Sequence, residues 1–136
     1  MTNKLDIFKC DVCGNIIEVV IPGYGELVCC NKPMRHLVAQ SVDEGLEKHV
    51  PVLEKNEDGQ KVIRVGSQPH PMEENHYIQF IEIVSNDRKH VKRKYLLPHD
   101  EPQMKLKCTC KNNGGFEVIE YCNIHGLWGN KFEGEN

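Results

Sequence analysis

The sequence predicts an all-β protein in two parts: a small metal-stapled module over residues 1–38, then an antiparallel β-sandwich or barrel over residues 39–136. Three observations lead there. Short β-favouring segments recur along the chain with turn residues between them. Cysteines fall near the start as two pairs, Cys10 with Cys13 and Cys29 with Cys30. A chain of 136 residues has room for such a module plus a domain of roughly 100 residues.

In the first part, Leu5, Ile7 and Lys9 alternate with Asp6 and Phe8, as a strand does. Cys10-Asp11-Val12-Cys13-Gly14 then makes a tight turn whose glycine accepts positive φ. Ile16 to Ile21 is strongly β-favouring, and Pro22-Gly23-Tyr24-Gly25 has turn chemistry. Glu26-Leu27-Val28 leads into Cys29-Cys30, with Asn31-Lys32-Pro33 as a second turn. So short a segment buries too little apolar surface to hold its shape alone, so a metal must stabilise it.

Leu37-Val38-Ala39 reads as a strand crossing the boundary, and Ser41-Val42-Asp43-Glu44 as a capping box opening a short helical turn. The strands of the second part are Val50 to Leu53, Lys61 to Val65, Tyr77 to Val84, Val91 to Leu97, Met104 to Cys110 and Phe116 to Tyr121. Asp58-Gly59, Ser85-Asn86-Asp87 and Asn112-Asn113-Gly114-Gly115 mark turns between them. The acidic tail, Glu133-Gly134-Glu135-Asn136, is expected to fray.

Hydrophobic content of 39% with 27% charged residues is that of a soluble globular protein and argues against disordered and fibrous classes. No apolar run approaches the roughly 20 residues that cross a bilayer, and the opening residues lack a signal-peptide hydrophobic stretch. The expectation is a cytoplasmic protein with no membrane partner. A formal charge of -3 gives no whole-chain attraction for nucleic acid. Against it stands one dense basic run, Arg88-Lys89-His90-Val91-Lys92-Arg93-Lys94, read as a solvated hairpin or else as a docking surface for an acidic redox partner.

Seven cysteines without a secretion signal argue for reduced thiols acting as metal ligands. Cys10-x-x-Cys13 brings two sulfurs onto one metal while turn amides face the thiolates. Adjacent Cys29 and Cys30 would point to opposite sides of an extended chain, so binding one ion through both requires a local backbone distortion. Iron and zinc both accept four thiolates. Cys108 and Cys110 share one strand face and, with no local histidine, read as small apolar packing residues.

Cys122 and His125, combined with His49, His70 and His76, supply one thiolate and four imidazoles. That is one donor too many for closed tetrahedral zinc and suits iron with an open position. His70 lies between Pro69 and Pro71, which favour an extended loop. His49 and His76 stand at strand entries, and Cys122 with His125 on the turn after a strand, where a β scaffold carries ligands. His36, His90 and His99 lie outside this constellation.

Taken together, Cys10-x-x-Cys13, Cys29-Cys30, Glu47-Lys48-His49-Val50-Pro51-Val52, His70-Pro71-Met72-Glu73-Glu74-Asn75-His76-Tyr77 and Tyr121-Cys122-Asn123-Ile124-His125-Gly126 closely resemble desulfoferrodoxins, the two-iron superoxide reductases. The match runs from Lys9 to Trp128. It implies a desulforedoxin-like module with an electron-transfer iron on Cys10, Cys13, Cys29 and Cys30. It also implies an immunoglobulin-like β-sandwich whose ferrous iron is held equatorially by His49, His70, His76 and His125 and axially by Cys122, with the last position facing solvent. The implied reaction is one-electron reduction of superoxide, with two protons, to hydrogen peroxide; the implied partners are a second copy, forming a homodimer, and a rubredoxin-like electron donor. Lys48 would supply positive charge and help proton delivery at the open face, and Glu47 would take the open position when the iron is ferric. The bland alternative for Glu47 and Lys48 is a solvated charge pair. Four neutral imidazoles and one thiolate around ferrous iron leave a local positive charge that attracts superoxide, and a thiolate opposite the open position pushes electron density into the iron.

Overall fold

The computed structural model describes residues 1–42, 48–67, 70–106 and 114–133. Asp43, Glu44 and Glu47, Pro69, Cys108 and Cys110, Asn112 and Asn113, and the last three residues of the tail lie outside the described residues, and with them the expected capping box. The chain divides into two compact units, Met1–Val38 and Ala39–Asn136. Among the described residues the regular structure is all β, and no helix is long and apolar enough to cross a membrane.

The first unit holds β1 (Ile7–Lys9), β2 (Ile16–Glu18), β3 (Val28–Cys29), β4 (Lys32–Pro33) and β5 (Arg35–Leu37). An antiparallel sheet in the order β2-β1-β5 stands beside the two-stranded ribbon β3-β4. Ile7, Val19, Leu37 and Cys10 are its buried apolar residues, a very small core for a folded unit. Three sequence expectations shift here. Strand β2 stops at Glu18 rather than Ile21, because its partner β1 is only three residues long and Ile7 already pairs with Glu18. Strand β5 likewise ends at Leu37, opposite Ile7, and does not run on through Ala39. The second turn is Cys30-Asn31, one residue early, since Lys32 and Pro33 pair with Cys29 and Val28.

The second unit contributes β6 (Pro51–Lys55), β7 (Lys61–Val65), β8 (Ile78–Ser85), β9 (Val91–Tyr95), β10 (Gln103–Lys105), β11 (Phe116–Cys122) and β12 (Gly126–Phe132). They form two antiparallel sheets, β10-β7-β6 and β12-β11-β8-β9, which make an immunoglobulin-like sandwich. Ile63, Val65, Ile78, Ile81, Leu96, Met104, Val118 and Cys122 form the core cluster. Each such aliphatic side chain contributes about 1.5–3 kcal/mol by leaving water.

Strand β12 is absent from the sequence reading, because Gly126 and Gly129 interrupt its β-favouring residues. Its glycines have structural reasons. Gly126 has φ +87° at the exit of the turn from β11, and a Cβ on Gly129 would meet Ala39, Val118 and Ile119 at 3.1 to 3.3 Å. The register between β8 and β11 also shifts at Tyr121/Cys122, so that Cys122 pairs with Ile78 rather than Gln79. The extra residue lies in β8, so that Ile78 as well as Ile81 meets the core opposite Cys122, which follows Val118 and Glu120 onto that side by plain alternation while Tyr121 stays beside Phe80 on the other face.

Candidate metal centres

The first unit gathers Cys10, Cys13, Cys29 and Cys30 so that their sulfurs all lie within 4.8 Å of one another. Cys13 Sγ is 3.6 Å from Cys29 Sγ, which is 4.0 Å from Cys30 Sγ. A metal about 2.3 Å from each of four tetrahedral sulfurs sets them about 3.8 Å apart, so the spacing fits a single ion. The Cys13 backbone N–H donates to Cys10 Sγ at 3.5 Å. That bond leads the causes that hold the Cys10 thiol down at about 6. Hydrogen bonding with neighbouring sulfurs, Cys13 first, pushes Cys29 up and Cys30 up to about 12. Once one thiolate has formed, the others resist ionising, a conflict that a bound cation removes. Arg35 clamps Asp11, inside the Cys-x-x-Cys loop, through Nε at 3.1 Å and Nη2 at 3.0 Å, tying the loop to β5 and holding the Asp11 carboxyl below its usual range.

In the second unit, donor atoms of His49, His70, Cys122 and His125 lie within 4.8 Å of one another. His76 is not in that tight set, but its ring borders the rings of His70 at 5.0 Å and His125 at 5.1 Å. With His49 to His70 at 4.6 Å and His49 to His125 at 4.8 Å, the four imidazoles close into a square in the order 49, 70, 76, 125. Such a square of neutral nitrogen donors with one added sulfur suits iron better than tetrahedral zinc.

Each member is aimed by a specific contact. His70 Nδ1 lies 2.7 Å from the Pro71 carbonyl oxygen; an N–H there donates to that oxygen and leaves Nε2 as the ligand atom. The Asn123 side chain accepts from Tyr77 N–H at 2.9 Å and donates to the Asn75 carbonyl at 3.1 Å, joining the loop of His76 to the turn of Cys122 and His125. The His125 backbone N–H donates to Cys122 Sγ at 3.4 Å, and Trp128 Nε1 and Gln40 Nε2 each donate to the His125 carbonyl at 3.1 Å. Of the two residues read as acting at the open face, Lys48 is half-buried next to His49 in sequence, and Glu47 lies outside the described residues.

Two supporting residues escaped the sequence reading. Glu120, fully buried, places Oε1 4.0 Å from His49 Nδ1, and Trp128 stacks on His49 at 4.7 Å with 17° between planes. A signal for Glu120 existed: Val118, Glu120 and Cys122 alternate along one strand face, and a carboxylate there would be buried beside a ligand.

Comparison with known proteins gives a concordant picture. The family described as Desulfoferrodoxin matches residues 41–131, and Desulfoferrodoxin, N-terminal domain, matches residues 2–37. The desulfoferrodoxin of Syntrophotalea carbinolica is 50% identical over 128 residues, 94% of this chain and 97% of its own. A desulfoferrodoxin homolog of Methanothermobacter thermautotrophicus is 53% identical over 128 residues, 94% of this chain and 99% of its own. Among solved structures, the superoxide reductase from Treponema pallidum superposes with a TM-score of 0.70 at 26% identity, covering 93% of this chain and 98% of that one. With both units matched and half the residues shared with a full-length relative, the chain belongs to the desulfoferrodoxin family.

Proposed function

We infer that this chain is a superoxide reductase, which adds one electron and two protons to superoxide and releases hydrogen peroxide. The observation that carries this reading is the closed square of imidazoles beside a buried cysteine sulfur, in a chain whose family relatives and structural neighbours include superoxide reductases. The chain binds two mononuclear irons. We assign Cys10, Cys13, Cys29 and Cys30 to one, and His49, His70, His76, His125 and Cys122 to the other. When bound, the second iron supplies the electron that superoxide accepts.

The protein groups prepare that exchange. Cys122 is fully buried, and its sulfur accepts an N–H from His125, which favours the electron-donating thiolate. His49 and His70 are 3% and 4% exposed, whereas His125 is open to solvent, so a small anion has access from the His125 side. Neutral imidazoles leave the bound ion a net positive charge, which draws the superoxide anion although the chain carries -3 overall. Lys48 adds a second positive charge beside His49 and a proton source, and Glu47 is the acidic member of the same motif.

In this reading residues 1–38 form the electron-transfer module and residues 39–136 the catalytic sandwich. A rubredoxin-like protein serves as donor, and the protein works as a homodimer in the cytoplasm. Exposed Val20, Ile21, Tyr24 and Val28 on the first unit support self-association, and the gathering of all five described cysteines at the two candidate metal centres supports a compartment where thiols serve as ligands.

Anaerobic mixing of the reduced holoprotein with a superoxide source tests the activity. Iron oxidation accompanied by stoichiometric peroxide and no dioxygen is the expected result. Dioxygen release would make the protein a dismutase, and no consumption of superoxide would make it an electron relay.

A further inference from the structure

Each superoxide reduced costs the protein one electron, which has to enter from outside. We propose that the edge strand β9 and the turn before it form the docking surface for an acidic one-electron carrier protein, and that Tyr95, Phe80 and Tyr121 lead from that surface to Cys122. The proposal rests on the superoxide reductase reading.

Strand β9 is the free edge of the four-stranded sheet, and all of its residues are exposed. Between Asp87 and Tyr95 lie Arg88, Lys89, Lys92, Arg93 and Lys94, against Asp87 as the single carboxylate. Asp87 is itself occupied, accepting from the Ser85 hydroxyl and the Lys89 N–H, and is held below the usual carboxylate range by the first of these. Glu82, buried on the same sheet face as Arg93, pairs with it and offsets its charge, so the excess of positive charge rests on Lys89, Lys92 and Lys94. A local positive field therefore stands out from an acidic body, the arrangement that orients a negatively charged partner during encounter.

Lysines on an edge strand also discourage unwanted strand pairing. The row of aromatic rings, which opens on the face of β9 that Arg93 shares and Lys92 and Lys94 do not, has no such use. Tyr95 pairs with Phe80 across β9 and β8, and Phe80 with Tyr121 across β8 and β11, so the three stand side by side on the outer sheet face. Phe80 and Tyr121 stack at 6.1 Å with 12° between planes. The Arg93 guanidinium lies 5.9 Å from the Phe80 ring and 5.8 Å from the Tyr95 ring, and donates to the Tyr95 hydroxyl at 3.3 Å. Tyr95 is 71% exposed while Phe80 and Tyr121 are buried, so the row has one open end. Its other end is covalently joined to Cys122. Two strand spacings make the whole span about 10 Å. The step is a bare electron transfer: the carrier's reduced iron loses one electron, the oxidised iron assigned to Cys122 gains it, and no bond or proton moves.

The test uses the holoprotein and an acidic rubredoxin as probe, with Kd measured by calorimetry and reduction of the oxidised iron followed by stopped flow. Lys89→Glu/Lys92→Glu, whose lysines carry no structural side-chain contact in the described residues, is expected to weaken binding at least about tenfold at low ionic strength, with the difference vanishing in high salt. Tyr95→Leu is expected to leave Kd within about twofold and slow the reduction about tenfold, since only the aromatic path is cut. Prereduced wild type and both variants should consume superoxide at equal rates. Equal Kd for wild type and the double variant at low ionic strength overturns the docking surface, and an unchanged reduction rate in Tyr95→Leu overturns the aromatic row. Failure of the prereduced wild type with superoxide would instead sink the enzymatic reading on its own.

Discussion

Cys29 and Cys30 are consecutive residues whose sulfurs stand 4.0 Å apart, because Cys30 and Asn31 both adopt positive φ, 53° and 60°. They form the two-residue turn between β3 and β4, the left-handed geometry that matches strand twist. In an extended chain the two side chains would point apart. The distortion expected from the sequence is thus a turn, and it converts an adjacent pair into a chelating one.

That geometry makes Asn31 a pressure point. Asn31→Val puts a β-branched residue at positive φ and should cost about 1–2 kcal/mol, seen as a lower denaturation midpoint and faster metal loss to a chelator. Asn31→Gly should retain the metal as well as the wild type does; loss in both variants would mean the side chain, not the backbone, matters.

The thiols give a pH signature in the metal-free protein. Cys10 ionises near 6 when folded, well below an ordinary thiol, so its contribution to stability is present above the ordinary thiol value and is lost as pH falls through about 6. Cys30, pushed up to about 12, has the opposite sign and loses its contribution as pH rises past the ordinary thiol value towards 12. Thiolate ultraviolet absorbance should show one group appearing near pH 6, absent in Cys10→Ser. Four thiols titrating together would contradict this.

Glu120→Gln keeps the shape but removes the negative charge behind His49. Iron affinity at the histidine-rich site should fall about 10–100-fold, with the four-sulfur site unaffected. Competition with a calibrated chelator, each site followed by its own absorption band, measures it.

Lys48→Ala should retain both irons and slow the reaction with superoxide about tenfold, most clearly at low ionic strength where steering is strongest. Pulse radiolysis across a salt series is the measurement. A rate equal to wild type at every salt concentration would return Lys48 to the solvated surface.

Cys13→Ser should abolish or disturb the four-sulfur site while a prereduced second iron still reduces superoxide at the wild-type rate. Metal analysis alongside single-turnover kinetics checks both halves. Loss of the single turnover would mean that the two units depend on each other.

Most strands were readable because their patterns are local. Lys61–Val65 is recovered with its ends intact, and Val91 opens β9 as expected. Ends moved where a partner strand ran out, as at Glu18 and Leu37, since pairing length belongs to two segments at once. Strand β12 was missed for a related reason: Gly126 and Gly129 look like breakers in isolation, and only the approach of Ala39 and the turn after His125 shows why they sit there.

By itself the sequence determined the all-β class and the inventory of donors, because spacing in a knuckle and side-chain chemistry are properties of short stretches. Tertiary structure alone decided the cyclic order of His49, His70, His76 and His125, the seat of Glu120 behind His49, and the row from Tyr95 to Tyr121. Those arrangements come from register between strands far apart in the chain, and a bulge of one residue at Tyr121/Cys122 brings Ile78 opposite Cys122 on the core side. No spacing along a single segment encodes that.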